Sequence, residues 1–267
     1  MNETISYIKE HISIKPSIAI ILGSGLSGLV NHISDAVKLS YSDIPGFPVS
    51  TVEGHSGELI FGRIHDKEVI VMNGRFHYYE GYSTDEITFP VRVFSELGIN
   101  RMIITNAAGG IAPDLNPGDI MLIDDHISLF MPSIFRGDIE KKKRASFVDM
   151  SEVYSLKARN LALDVAQKEG VNLKRGNYIF FEGPRYETPA DIKAMAALGA
   201  SSTGMSTVPE TIAARYQNME VLGLSYITNK AAGLSSNKLS HQEVIENAKI
   251  SAELFVNLVK SIVKEWN

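Results

Sequence analysis

Short runs of β-branched and apolar residues recur along the chain, separated by longer stretches with helical ends, and that alternation leaves few folds open. The runs at 17–22, 59–64, 68–72, 101–105, 120–127, 177–181 and 221–228 predict strands. Several are apolar at successive rather than alternate positions, the pattern of strands covered on both faces. Helices are marked by their ends. Thr188 and Pro189 open one that Gly199 closes, and another runs over about 152–169 up to Gly170. Ser240 and Glu243 make a capping box ahead of an amphipathic segment over about 245–264. The stretch 83–97 carries conflicting signals: Ser83 and Glu86 look like a cap, whereas Pro90 would break a helix interior, so the main helix is expected after Pro90. With no fixed-period repeat, low-complexity segment or linker-like stretch, the expectation is one α/β domain over 1–267, a sheet sandwiched between helices.

Composition removes several classes of function. The chain has no cysteine, which excludes disulfides, thiolate metal sites and a cysteine nucleophile. A net charge of -5 argues against a protein that works by gripping nucleic-acid backbone. The block Lys141-Lys142-Lys143-Arg144 reads as a solvated loop. The apolar run 18–22 is too short to cross a bilayer, and the first residues lack a signal-peptide core, so a cytoplasmic protein is expected.

The motifs sit where the strands end. Gly23-Ser24-Gly25-Leu26-Ser27-Gly28 follows the first strand and matches G-x-G-x-x-G; it suits a phosphate-sized anion as well as a dinucleotide, or a plain turn. Gly54-His55-Ser56-Gly57 and Gly74-Arg75-Phe76-His77-Tyr78-Tyr79-Glu80-Gly81 place histidines and an arginine beside glycine turns. Arginine's planar fork and the histidine donors suit an oxyanion, while no metal-ligand spacing accompanies the histidines. Thr105-Asn106-Ala107-Ala108-Gly109-Gly110 brings small residues to a strand end, either a turn or a place for ligand to approach the backbone. In Glu182-Gly183-Pro184-Arg185-Tyr186-Glu187-Thr188, Tyr186 can cover an aromatic ring and Glu187 can accept hydrogen bonds from it, or Glu187 merely partners the helix dipole. Gly204-Met205-Ser206-Thr207-Val208-Pro209-Glu210 is a strand-to-helix junction with hydroxyls near a helix N-terminus, again suited to an anion. Thr228-Asn229 presents an amide after an apolar strand, and His241 opens the last helix. No nucleophile–base pair stands out, so these groups look built to hold an anion against a bound organic molecule.

In this order, from about Ile18 to Val244, the motifs resemble those of the trimeric purine nucleoside phosphorylases, the class that prefers 6-oxopurines. The resemblance implies a single-domain nucleoside phosphorylase fold with a twisted mixed β-sheet flanked by helices. It implies reversible phosphorolysis of inosine and guanosine, or their deoxy forms, to free purine and pentose 1-phosphate. Ser24, His55, Arg75, Ser206 and the Ala107 N–H would hold phosphate, with His77 nearby and Glu80 orienting the site. Tyr79, Met205, His241 and, from a neighbouring subunit, Phe147 would line the ribose. Tyr186, Glu187 and Asn229 would hold the purine, at its face, its N1 side and N7. His77, Glu80 and Asn229 would be the catalytic set. The family implies no metal and no organic cofactor, phosphate being a co-substrate, and a homotrimer engaged in purine salvage, with neither nucleic acid nor membrane as partner.

One region departs from the family pattern. Its Asn-Pro-Leu and Gly-Pro-Asn loop is replaced here by Phe130-Met131-Pro132-Ser133-Ile134-Phe135-Arg136-Gly137-Asp138. Three rival readings remain open. A 5′-methylthioadenosine phosphorylase would tend to carry aspartate at the Asn229 position; a Rossmann dehydrogenase would bind NAD; a nucleoside or phosphate sensor would bind without turnover.

Overall fold

The structure, a computed structural model, describes residues 1–49, 56–129, 131–136, 147–235 and 252–267. Its strands are β1 Ile18–Ile21, β2 Ser34–Ser40, β3 Glu58–Ile64, β4 Lys67–Asn73, β5 Arg101–Gly110, β6 Ile120–Ile127, β7 Leu173–Phe180, β8 Ser202–Gly204 and β9 Glu220–Lys230. Among the described residues the helices are α1 Asn2–His11, α2 Thr84–Ile87, α3 Phe89–Glu96, α4 Leu156–Lys168, α5 Pro189–Ala197, α6 Val208–Tyr216 and α7 Ala252–Glu265. The strands form one mixed sheet in the order β2-β3-β4-β1-β5-β8-β7-β6-β9, and β5 also pairs with β9, so that β5, β8, β7, β6 and β9 close into a ring.

Strand periodicity builds two cores from one sheet. Every residue of β1 is buried. Ala19 and Ile21 point into the core shared with Ile8 of α1 and Val91 and Phe94 of α3. Ile18 and Ile20 point the other way, into the core shared with Ala158 and Val165 of α4 and Phe255, Val259 and Ile262 of α7. This two-sided cover is what the unbroken apolar runs in the sequence encode, and each buried isoleucine, valine or phenylalanine among them contributes about 1.5–3 kcal/mol.

Where structure and sequence reading differ, a local cause can be named. Both signals in 83–97 are obeyed: Ser83 Oγ accepts from the Glu86 N–H to cap α2, and Pro90 sits in the first turn of α3, where a missing N–H costs nothing. α4 starts at Leu156 rather than near 152, because Ser155 is its cap. β5 continues to Gly110 through the small residues read as a turn, since β9 pairs with it along its length. β7 begins at Leu173, before the 177–181 candidate, in register with β6. The short β8 and the largely exposed edge strand β2 carry too little apolar pattern to be anticipated, and α1 was likewise not expected. The cap at Ser240 and Glu243 lies outside the described residues, and the described part of the last helix is Ala252–Glu265. The dinucleotide reading of Gly23–Gly28 is corrected. The loop leads into a 3-10 turn over Ser27–His32 and then to β2 at the far edge of the sheet, three places from β1, so β1 opens no helical crossover to a neighbouring parallel strand.

Candidate active site

The ring creates a gap in the sheet. On one edge of β5, β1 pairs with Arg101–Ile104 and β8 with Gly109 and Gly110, leaving 105–108 without a strand partner there among the described residues. The Thr105 carbonyl faces this gap, accepting Arg75 Nη1 at 2.7 Å, whereas the Gly110 carbonyl faces β9, accepting from the Ala231 N–H. By the same two-residue alternation the Ala107 N–H also turns toward the gap. A cleft of about 120 Å³, partly open to solvent, lies over it, lined by Ser24, Arg75, His77, Tyr79, Asn106, Ala107, Tyr186, Glu187, Thr203, Met205, Ser206 and Asn229, among others.

One end of the cleft is made of donors. The Gly23 loop crosses β5 so closely that a Cβ on Gly23 would lie 2.5 Å from Asn106 Cα, which reserves that position for glycine. The crossing is tied by the Gly23 N–H to Thr105 Oγ1, and it brings Ser24 to the cleft. Arg75 follows β4 and is only 1% exposed. Its Nε and Nη2 both meet Glu210 Oε1 at 3.1 Å, while Nη1 reaches the Thr105 carbonyl and Ser206 Oγ. Ser206 is held by a γ-turn centred on Thr207, whose φ is 75° and which is closed by the Val208 N–H on the Ser206 carbonyl at 2.8 Å. That backbone is strained for a β-branched residue. It is clamped by Asn106 Nδ2 donating to Thr207 Oγ1, and Tyr178 OH accepts from the Ser206 N–H. His77 donates through Nδ1 to Glu80 Oε1 at 3.0 Å, because a carboxylate only accepts, and its ring stacks on Tyr79. Burial holds the His77 pKa below the usual histidine range. Burial likewise pushes Tyr79 up to about 12.

The other end carries groups for a heterocycle edge. Glu187, buried just before α5, accepts from Thr203 Oγ1 at 2.7 Å. Asn229 Oδ1 accepts from Thr228 Oγ1 and its Nδ2 donates to the Lys230 carbonyl, both at 2.8 Å, so the amide is pinned from two sides. Gly109 registers these groups: it pairs with Thr203 on β8 and with Asn229 on β9, and it has no side chain to separate them. Tyr186 and Met205 complete the walls.

Of the residues singled out from sequence, Ser24, Arg75, His77, Tyr79, Ala107, Tyr186, Glu187, Met205, Ser206 and Asn229 line this one cleft, and Glu80 backs it through His77. Phe147 does not join them; it is 96% exposed. His55 and His241 lie outside the described residues. Sequence reasoning missed Thr203 and gave no role to Asn106, Glu210 or Thr228. Glu210 and Thr228 stood inside quoted motifs, but their partners could be recognised only after folding, the Arg75–Glu210 contact spanning 135 residues of sequence.

The chain is similar to known proteins over nearly its whole length. The model of the phosphorylase superfamily matches residues 17–264. The chain is 48% identical over 265 residues to purine nucleoside phosphorylase 1 of Geobacillus stearothermophilus, covering 99% of this chain and 96% of that one. Schistosoma purine nucleoside phosphorylase with hypoxanthine superposes with a TM-score of 0.93 at 36% identity, covering 100% of this chain and 96% of the other. The Schistosoma mansoni enzyme with inosine matches with the same TM-score, identity and coverage.

Proposed function

The chain belongs to the phosphorylase superfamily, and from that premise we propose that it is a purine nucleoside phosphorylase, cleaving 6-oxopurine (deoxy)ribonucleosides such as inosine and guanosine with phosphate to free purine and pentose 1-phosphate. The observation that carries the reading is the single cleft with donors at one end and a pinned carboxylate and amide at the other.

On this reading Ser24, Arg75, Ser206, the Ala107 N–H and His77 hold phosphate, with His55 completing the set. Tyr79 and Met205 border the pentose, joined by His241 and by Phe147 of a neighbouring subunit. Tyr186 covers the purine. The glycosidic bond stretches first, leaving positive charge on the sugar and negative charge on the base. Stabilising charge that grows during cleavage lowers the barrier most. Asn229 Nδ2, fixed by its bond to the Lys230 carbonyl, meets N7 as charge arrives there. Glu187, steadied by Thr203, takes the N1–H of a 6-oxopurine, and the N1 lone pair of a 6-aminopurine would face its oxygens instead. Phosphate fixed beside the anomeric carbon then bonds there, a gain of positioning. His77 donates Nδ1–H to Glu80, which fixes its ring, and its lowered pKa keeps it neutral at pH 7.

Assembly into a homotrimer, in which Phe147, exposed on the single chain, packs at a neighbouring subunit's pentose, belongs to the same reading. The absence of cysteine suits a cytoplasmic enzyme of purine salvage, and residues 1–267 act as one unit with phosphate as co-substrate and no organic cofactor. The test is hypoxanthine release from inosine with and without phosphate. Release that requires phosphate is expected; release without it, or none at all, overturns the reading.

A further inference from the structure

Resting on the reading of Arg75 and Ser206 as part of the phosphate end, we propose that Glu210 is the positioning residue of that end, acting through Arg75 and taking no part in holding the purine. Glu210 is 3% exposed and is the third residue of α6. One of its oxygens, Oε1, accepts a hydrogen bond from Arg75 Nε and lies at ion-pair distance, 3.1 Å, from Nη2, holding the guanidinium along one side. A guanidinium gripped there cannot swing on its flexible stem, and Nη1 is thereby aimed at the Thr105 carbonyl and Ser206 Oγ. Glu210 Oε2 makes no hydrogen bond among the described residues, so the carboxylate's described hydrogen bonding is to Arg75 alone. The strained γ-turn at Thr207 serves the same arrangement. It sets Ser206 on one side of Arg75 while α6 brings Glu210 to the other.

A carboxylate beside a site for a dianion needs a reason, since its charge opposes the anion and its burial costs desolvation. Holding the arginine supplies that reason, and the two effects predict opposite outcomes. If Glu210 acted mainly as a negative charge, removing it would tighten phosphate binding. If it positions Arg75, removing it weakens phosphate binding and leaves the purine end alone.

The experiment measures KM for phosphate and for inosine, and calorimetric hypoxanthine binding, in wild type, Glu210→Ala, Glu210→Gln, Arg75→Met and the double variant Arg75→Met/Glu210→Ala. Glu210→Ala is expected to raise the phosphate KM at least about tenfold, and Glu210→Gln, which keeps an acceptor, about threefold. The inosine KM and hypoxanthine affinity stay within about twofold. The double variant matches Arg75→Met within about twofold, because Glu210 has nothing left to hold. Tighter phosphate binding, an equal loss at the purine end, or additive effects overturn the proposal. Should Glu210→Ala fail to fold, Glu210→Gln alone and combined with Arg75→Met carries the same comparison. If wild type cleaves inosine without needing phosphate, the reading of the site falls and this inference with it. A phosphate-dependent wild type with unmoved variants sinks only the role of Glu210.

Discussion

Replacing Asn229 with alanine separates catalysis from stability, because the structure assigns each a different size. The side chain makes two internal bonds, Oδ1 with Thr228 Oγ1 and Nδ2 with the Lys230 carbonyl. Losing the first takes from the buried Thr228 hydroxyl its 2.8 Å acceptor, whereas the Ala108 carbonyl lies at 3.4 Å. A net hydrogen bond is worth about 1 kcal/mol, so Tm is expected to fall by roughly 2–4 °C in a chain of this size. The barrier should suffer more. A fixed donor aimed at charge that develops only in the transition state is worth about 2–4 kcal/mol, or roughly 30- to 1,000-fold in kcat/KM. Steady-state phosphorolysis of inosine, followed by ultraviolet absorbance at saturating phosphate, reads this directly. The loss is expected in kcat as well as kcat/KM. If a folded Asn229→Ala protein lost only inosine affinity, with kcat unchanged, Asn229 would be a ground-state contact and the reasoning about charge at N7 would fail.

Two further perturbations follow from the geometry. Thr203→Val keeps the shape of the side chain but removes the hydroxyl that steadies Glu187; hypoxanthine affinity should weaken by about 1–2 kcal/mol while sulfate affinity holds, and titration calorimetry showing no change would exclude the contact's importance. The pH dependence of stability turns on His126, whose pKa burial pushes down to about 4 from the ordinary 6.5. The folded state binds this proton more weakly than the unfolded state, so its contribution is complete above about 6.5 and is lost as pH falls toward about 4, amounting to at most roughly 3 kcal/mol. His77, also held low by burial, acts in the same direction. Urea unfolding of His126→Gln between pH 7 and 4.5 should show a shallower loss than wild type; equal slopes would remove His126 from the explanation.

Much of the site was legible because its residues lie in short motifs at strand ends, where glycine, small residues and polar groups interrupt apolar runs. Ser24, Arg75, Ser206, Glu187 and Asn229 are of this kind, and the fold joins them in one cleft. β1 and β6 were legible for the related reason that continuous apolar runs mark strands covered on both faces. What could not be read depends on register and long-range pairing. Nothing in the sequence pairs Glu210 with Arg75 or Thr203 with Glu187, since those contacts exist only once β5 holds β8 and α6 in place. The γ-turn at Thr207 was invisible because threonine has no preference for a positive φ; Asn106, from a different strand, imposes it. The edge strand β2 was missed because most of its side chains face solvent, leaving its place to be set by hydrogen bonds with β3.

The most direct test of the cleft's two-ended design is a crystal of the chain grown with hypoxanthine and sulfate, the sulfate standing in for phosphate. The base should lie beneath Tyr186 with its N1 side at Glu187 and N7 at Asn229, and the sulfate should meet Ser24, Arg75, Ser206 and the Ala107 N–H. A base seated away from Glu187 and Asn229, or a sulfate bound away from Arg75 and Ser206, would contradict it.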